Sequence, residues 1–162
     1  MLLRHIDMTL RPLGEGYVVA LAEEYDYPGP WEDDRNIQTN GDFAAQVNCI
    51  TDTGDLGLRI ELHDSAPATD TSRPWHYGPE DVVLSAEGDD CLTLAVPCQG
   101  DLDERWPQDE PPLTLPPHAA DKPRWFRVRL YGRAGSNEYG IGDRGENHLL
   151  QIWPEPEEPH DG

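Results

Sequence analysis

From Arg124 to Pro154 the chain reads RWFRVRLYGRAGSNEYGIGDRGENHLLQIWP, and its first third alternates strictly. In an extended segment Phe126, Val128 and Leu130 fall on one face, and Arg127, Arg129 and Tyr131 on the other. A period of two marks a strand with one buried face. Gly132 to Gly145, rich in Gly, Asn, Ser and Asp, reads as a loop or broad turn. Glu146 to Trp153 then resumes as a strand, with His148, Leu150 and Ile152 on one side and Leu149, Gln151 and Trp153 on the other. Two such segments joined by a turn predict a long antiparallel hairpin. A lone hairpin is marginal in water, so the rest of the chain is expected to cover its apolar face.

The other segments repeat the theme. His5–Leu10 alternates through Ile6, Met8 and Leu10, and Gly16–Ala22 is almost continuously apolar, as expected of a strand buried on both faces. A turn at Pro12–Gly16 separates them. Phe43–Thr51 and Leu56–His63 are joined by Asp52–Asp55, a link of hairpin type that predicts an antiparallel pair. In the second of these, Leu56, Leu58, Ile60 and Leu62 point inward, and Gly57, Arg59, Glu61 and His63 are expected to face water. Asp81–Ala86 and Cys91–Val96 predict another hairpin around Glu87–Asp90. Residues 23–42, 64–79 and 101–123 are irregular and punctuated by proline, with at most a short strand at Leu113–Leu115. No long segment shows helical periodicity. The expected fold is all-β: a single-domain antiparallel β-sandwich, or a jelly-roll-like relative, of about eight short strands over residues 1–154, with an acidic disordered tail at 155–162.

Composition agrees with many turns in one domain: 162 residues, 36% apolar, 16 prolines and 15 glycines. Charge narrows the partners. Thirty-two acidic against twelve basic residues give −20. Such a field repels nucleic acid and anionic membrane, attracts basic proteins or cations, and also serves solubility. It is uneven: residues 22–42 hold seven acids and one base, residues 80–121 eleven acids and one base, and residues 124–133 four arginines and no acid. Cys49, Cys91 and Cys98 are odd in number and lack CxxC spacing, so buried thiols are expected. The N-terminal MLLRHIDMTL is too short and charged for a signal peptide, and no run reaches the ~20 apolar residues of a membrane span, which predicts a cytoplasmic protein.

Catalytic motifs are missing from the sequence. There is no GxSxG, no phosphate-binding glycine loop with its lysine, and no nucleophile signature around a cysteine. The six histidines never recur at i, i+2 or i, i+4; the nearest set, His63-Asp64 with His76, requires a loop to fold back. Asp33, Asp34, Asn36, Asn40 and Asp42 offer oxygen ligands for calcium, but from Asp34 the glycine falls at the eighth position and Ala45 stands at the twelfth, against the EF-hand pattern. The loop Glu23, Glu24, Tyr25, Asp26, Tyr27, Trp31, Glu32, Asp33 and Asp34 interleaves aromatic rings with carboxylates. A surface for a basic partner has that composition, with rings as anchors and charges that steer the encounter; the same rings would also serve to cap one end of the core. The row Arg127, Arg129 and Arg133, with Arg124 nearby, is expected to pair with carboxylates of a neighbouring strand.

The order of elements also resembles a known family. An opening strand pair, a long acidic loop with Trp31, a middle hairpin pair and a closing hairpin ending in Leu149-Leu150-Gln151-Ile152-Trp153 is similar to the competence protein J family, small acidic inhibitors of a bacterial DNA-entry nuclease. WFRVRLYGR followed by ENHLLQIWP also resembles the ending of uncharacterised bacterial proteins of similar size. The likeness covers most of the chain in pattern and almost none in identical residues, and the proline-rich stretch 101–123 departs from it. No catalytic set transfers. What the resemblance implies is a β-sandwich whose acidic surface blocks a nuclease or another basic protein. The functional expectation is thus a non-enzymatic, bacterial inhibitor or immunity-type protein without cofactor, binding a basic protein through residues 23–34. The alternatives are a sandwich that binds a ligand or metal, with or without catalysis, and an assembly protein that acts through a sheet edge.

Overall fold

The computed structural model describes residues 1–10, 16–21, 35–39, 44–49, 51–52, 55–71, 74–86, 92–95, 124–133, 140–141 and 145–155. Among them there is no helix. The strands are β1 (Leu2–Leu10), β2 (Tyr17–Ala20), β3 (Ile37–Thr39), β4 (Ala44–Val47), β5 (Thr51–Asp52), β6 (Leu56–His63), β7 (Tyr77–Ala86), β8 (Thr93–Ala95), β9 (Arg124–Arg133), β10 (Gly140–Ile141) and β11 (Asn147–Glu155). They form a five-stranded sheet in the order β1-β6-β11-β9-β7, a four-stranded sheet β3-β4-β2-β8, and a two-stranded ladder β10-β5.

The closing hairpin is present. β9 and β11 pair antiparallel from Arg133 opposite Asn147 to Trp125 opposite Glu155. This register sets Leu130 beside Leu150 and Val128 beside Ile152, so the apolar sets of the two strands share one face. That face continues through Leu56, Leu58, Ile60 and Leu62 of β6, Ile6, Met8 and Leu10 of β1, and Val82 and Leu84 of β7. Against it pack Tyr17 and Val19 of β2, Ile37 of β3, and Ala45 and Val47 of β4, in one continuous core between the two sheets. Burying a side chain such as Phe126 or Leu130 is worth about 1.5–3 kcal/mol, and the alternation that supplies these residues therefore decides which way each strand faces.

Strand partnership differs from expectation in three places. Phe43–Thr51 and Leu56–His63 do not pair: β4 lies between β3 and β2 in the small sheet, while β6 lies between β1 and β11 in the large one. β4 buries all four of its residues, whereas β6 buries mainly alternate ones, so they suit different layers. Asp81–Ala86 and Cys91–Val96 also part, β7 pairing with β9 and β8 with β2. The large sheet is mixed rather than wholly antiparallel, because β6 and β11 run parallel. The turn-rich links that read as hairpins thus carry the chain from one layer to the other. Within the expected loop 132–145, Gly140–Ile141 forms β10, parallel to β5. Leu113–Leu115 and residues 156–162 lie outside the described residues.

A bulge interrupts β7 between Tyr77 and Glu80. Gly78 sits there with φ +89°, a region that side-chain-bearing residues avoid, and a Cβ would run into the backbone carbonyl of Leu130.

Candidate functional site

The outer face of the five-stranded sheet carries the chemistry. Register lines up Glu61, Gln151, Arg129 and Asp81 across four strands, and one step along it lines up Asp7, Arg59, Leu149 and Tyr131. These positions alternate with the core residues of the same strands, so the pattern that buries the apolar set presents this polar and aromatic set on the other side.

Glu61 is the hub of one half. Its Oε2 accepts from Arg59 Nε at 2.8 Å, and its Oε1 accepts from Gln151 Nε2 at 3.1 Å and His63 Nε2 at 3.0 Å. The donor role of His63 follows because an ionised carboxylate only accepts. Burial pushes the Glu61 carboxyl up, but these donors and the Arg59 charge outweigh it and hold the group below its ordinary range. Burial likewise disfavours the charged Arg59, yet Glu61 and Asp7 together raise it above its ordinary value. His63 is buried, not exposed to water as its strand position predicted.

Arg129 organises the other half. Its Nε donates to Asp81 Oδ1 at 3.0 Å, and its guanidinium carbon lies 4.7 Å from the centre of the Trp153 ring. Arg127 Nε donates to Glu155 Oε2 at 2.8 Å, with its Nη1 3.6 Å from Asp81 Oδ2. Arg127 and Arg129 of the row are therefore paired with carboxylates of β7 and β11, as their place in an acidic chain predicted, whereas Arg133 is exposed.

The segment after β6 folds back over this face. The backbone N–H of Asp70 donates to Tyr131 Oη at 3.0 Å, Trp75 Nε1 donates to Asp70 Oδ2 at 2.7 Å, and the Trp75 ring packs on Tyr131 with centroids 5.5 Å apart. Between this segment and the sheet runs a groove of about 510 Å³, lined by Asp7, Gly57, Arg59, Glu61, Asp70, Trp75, Asn147 and Leu149 among others. Gly57 leaves room on its floor: a Cβ there would meet Asn147 Oδ1. The side chains around the groove include three carboxylates and one guanidinium.

A second polar group lies inside the sandwich. Tyr17 Oη is 2.7 Å from His148 Nδ1, and His148 Nε2 is 2.8 Å from Glu146 Oε2. The side chains of His148 and Glu146 have no exposed surface, and this chain of hydrogen bonds ties β2 to β11.

The sequence-derived candidates fall as follows. Glu23, Glu24, Tyr25, Asp26, Tyr27, Trp31, Glu32, Asp33 and Asp34 lie outside the described residues, as do Asn40 and Asp42. Asn36 donates to Glu80 from both its backbone N–H, at 3.1 Å, and its side-chain amide, at 2.5 Å. His63 is bonded to Glu61, His76 is exposed, and among the described residues no group of three His, Cys, Asp or Glu is placed to hold a metal ion. Cys49 carries a buried thiol. Among the described residues no helix is long and apolar enough to cross a membrane.

The charge is distributed unequally. The described residues hold ten acidic and seven basic residues, a net of −3, so −17 of the chain's −20 belongs to the segments between and beyond them.

The groove and the buried hydrogen-bonded chain were not singled out from sequence. One signal was there: the outward positions of β6, β9 and β11 hold arginine, glutamate, glutamine, tyrosine and tryptophan, a richer set than a merely solvated face requires. That Trp75 would return to Tyr131 had no local sign.

No protein-family model matches the chain, and no curated protein matches it. Among solved structures it is similar in fold to ComJ of Bacillus subtilis, described as an inhibitor of the DNA-degrading activity of NucA, with a TM-score of 0.57 and 8% identity over 96% of this chain and 98% of that one. It is also similar to the product of crocagin biosynthetic gene J, with a TM-score of 0.50 and 14% identity over 94% of this chain and 99% of that one. The likeness to the competence protein J fold expected from the order of elements is thus seen in three dimensions; at these identities it is a likeness of fold.

Proposed function

We propose that this protein is a non-enzymatic inhibitor that binds a basic protein partner, a nuclease in the leading case, and acts by occlusion. The observation that carries the reading is the end-to-end fold likeness to a nuclease inhibitor, whose chain and this one match over nearly their whole lengths. Charge supports it. Inhibition of a nucleic-acid-binding surface calls for a field that imitates phosphate, and −20 on 162 residues supplies one. The excess resides in the segments outside the described strands, among them residues 23–34, where aromatic residues alternate with acids. In this reading the sandwich is the frame, the acidic segments steer the encounter, and the rings of Tyr25, Tyr27 and Trp31 fill a cleft of the partner.

The test is retention of proteins from host lysate on the immobilised full chain at low and high salt, followed by a DNA-degradation assay of whatever elutes. The expected result is a basic nuclease, retained at low salt and released at high salt, whose activity falls when the free protein is restored in stoichiometric amount. A retained protein whose nuclease activity is unchanged by stoichiometric addition overturns the inhibitor reading.

A further inference from the structure

An edge strand leaves a row of backbone N–H and C=O groups without a partner in its own sheet, and folds guard such edges by keeping them short, kinked or covered. The two layers of the sandwich end in β1 and β7 and in β3 and β8. β3 and β8 are short, with 3 residues each. β7 is long, but it carries the bulge at Gly78 with Pro79 beside it. The approach to β3 also covers it: Asn36 donates to Glu80, and Arg35 Nη2 lies 3.5 Å from the backbone carbonyl oxygen of Asp81. β1 differs. Its register shifts between Leu2 and Arg4, and from Arg4 to Leu10 it runs regularly against β6 with neither proline nor glycine. Among the described residues no strand pairs with its other side, and Leu2, Leu3, His5, Asp7 and Thr9 are exposed along it.

We propose that this edge joins β1 of a second copy of the chain, antiparallel about a two-fold axis at Ile6, so that the five-stranded sheet continues from one copy into the other. Such an interface uses the same patch twice, so its residues have to complement themselves. Opposed residues in an antiparallel ladder point to the same face, which puts the axis on a residue rather than between two. An axis at Arg4 or at Asp7 sets a charge against itself, and an axis at His5 or Met8 leaves Asp7 facing Leu3 or Thr9. With the axis at Ile6, His5 of each copy faces Asp7 of the other, Ile6 faces Ile6, and the exposed Leu2 and Leu3 come beside Leu10 and Thr9.

The side chains suit this register. His5 and Asp7 are 46% and 63% exposed, and within one copy His5 Nε2 and Asp7 Oδ2 stand 3.8 Å apart, too far for a hydrogen bond. Asp7 Oδ2 also lies 3.4 Å from Arg59 Nη1. A carboxylate accepts at about four sites, so it has room for an imidazole N–H from across the edge beside the guanidinium. Opposite partners stabilise a ladder and like charges weaken it. β1 is balanced, with Arg4 against Asp7, so the −20 of the chain is not gathered at this edge. A strand of another protein lacks the two-fold repetition that makes both His5–Asp7 pairs at once, and a second copy supplies it.

The test is sedimentation equilibrium of the full chain over a range of concentrations, with enough salt to screen the repulsion between two copies of −20 each. The expected result is a reversible equilibrium between monomer and dimer. His5→Asp, an exposed change that leaves the core intact, sets a carboxylate against Asp7 twice in every dimer and is expected to weaken it about tenfold. Adding Asp7→Lys restores opposite charges in the same register and recovers most of the loss. A chain that stays monomeric up to about 0.1 mM overturns the proposal and leaves the edge to a strand of another protein. A dimer indifferent to His5→Asp, or one that Asp7→Lys fails to rescue, overturns it as well. Inhibition of a nuclease is not an ingredient of any of these outcomes, so the two readings fail separately.

Discussion

Tyr17 Oη and His148 Nδ1, 2.7 Å apart in a fully buried setting, join the two sheets of the sandwich through a side-chain hydrogen bond. Tyr17 comes from β2 in the small sheet and His148 from β11 in the large one, 131 residues later in the chain. His148 in turn meets Glu146 through Nε2, so with an ionised glutamate the imidazole donates from Nε2 and accepts the tyrosine proton at Nδ1. Buried polar chains of this kind stabilise when complete and are costly when broken.

Tyr17→Phe removes the donor and leaves Nδ1 buried without it. The expected loss is about 1–3 kcal/mol in urea unfolding. His148→Ala opens a cavity and leaves Glu146 in the core without its partner, so its cost is expected to reach about 3–5 kcal/mol. In the double variant the losses are less than additive, because both remove the same contact. Equal costs for the two single variants, or strict additivity, would contradict this.

The two faces of β9 make a cleaner comparison. Phe126→Ala empties a core position that is 1% exposed and is expected to cost about 3–5 kcal/mol. Arg127→Ala, one residue on, breaks a half-exposed ion pair with Glu155 and costs about 1 kcal/mol or less. Chemical denaturation of both variants tests the assigned orientation, and a reversed order would mean that the strand faces the other way.

Glu61 predicts a pH dependence. Its folded-state carboxyl lies below the ordinary value of 4.5, so as pH falls the unfolded chain binds the proton first. The contribution is full above about pH 4.5 and drains away as pH drops through the folded-state value. Glu61→Gln should therefore be most destabilising above the ordinary carboxyl value of 4.5, and the gap to the parent protein should narrow as pH falls below it. A gap that widens on acidification would reverse the assigned sign.

Two glycines separate strain from crowding. Gly78→Ala places a Cβ at φ +89° against the Leu130 carbonyl, a backbone atom that cannot turn away, and should cost more than about 2 kcal/mol. At Gly57 the obstacle is the Asn147 side-chain oxygen, which can rotate, so Gly57→Ala should cost less, and adding Asn147→Ala should relieve most of it. Thermal unfolding of the three variants gives the order.

For the acidic loop, replacing Glu32, Asp33 and Asp34 together by serine removes three charges from the proposed contact. The expected effect is slower association with the partner and a shallower dependence of the rate on salt, with dissociation little changed. Stopped-flow or surface-binding kinetics would show it, and an unchanged on-rate would remove this loop from the interface.

Alternation and composition alone made much of the architecture readable: the strand at 56–63, the two closing strands to within a few residues of their ends, the inward set Leu56 to Leu62, the closing hairpin, and the pairing of Arg127 and Arg129 with acids. These are local consequences of a two-residue period and of burying apolar area. The partners of β4, β6, β7 and β8 were misread, since Asp52–Asp55 and Glu87–Asp90 have the chemistry of a turn whether the chain turns back into the same sheet or crosses to the other. His63 was read as exposed for a related reason: its position gave the correct face, but no sequence rule says that Glu61 on the same strand will capture it.

What the amino-acid sequence determined by itself is the class of object: an acidic all-β chain whose strands each know their buried face, because that knowledge is carried by neighbours two residues apart. Tertiary structure decided everything that joins residues far apart in the chain. The parallel pairing of β6 with β11 sets Glu61 beside Gln151, the return of the segment 64–76 brings Trp75 onto Tyr131 to wall the groove, and the stacking of the sheets brings Tyr17 to His148. Each of these contacts rests on the order of strands in a sheet, and that order is chosen by the summed burial of the whole core rather than by any local run of residues.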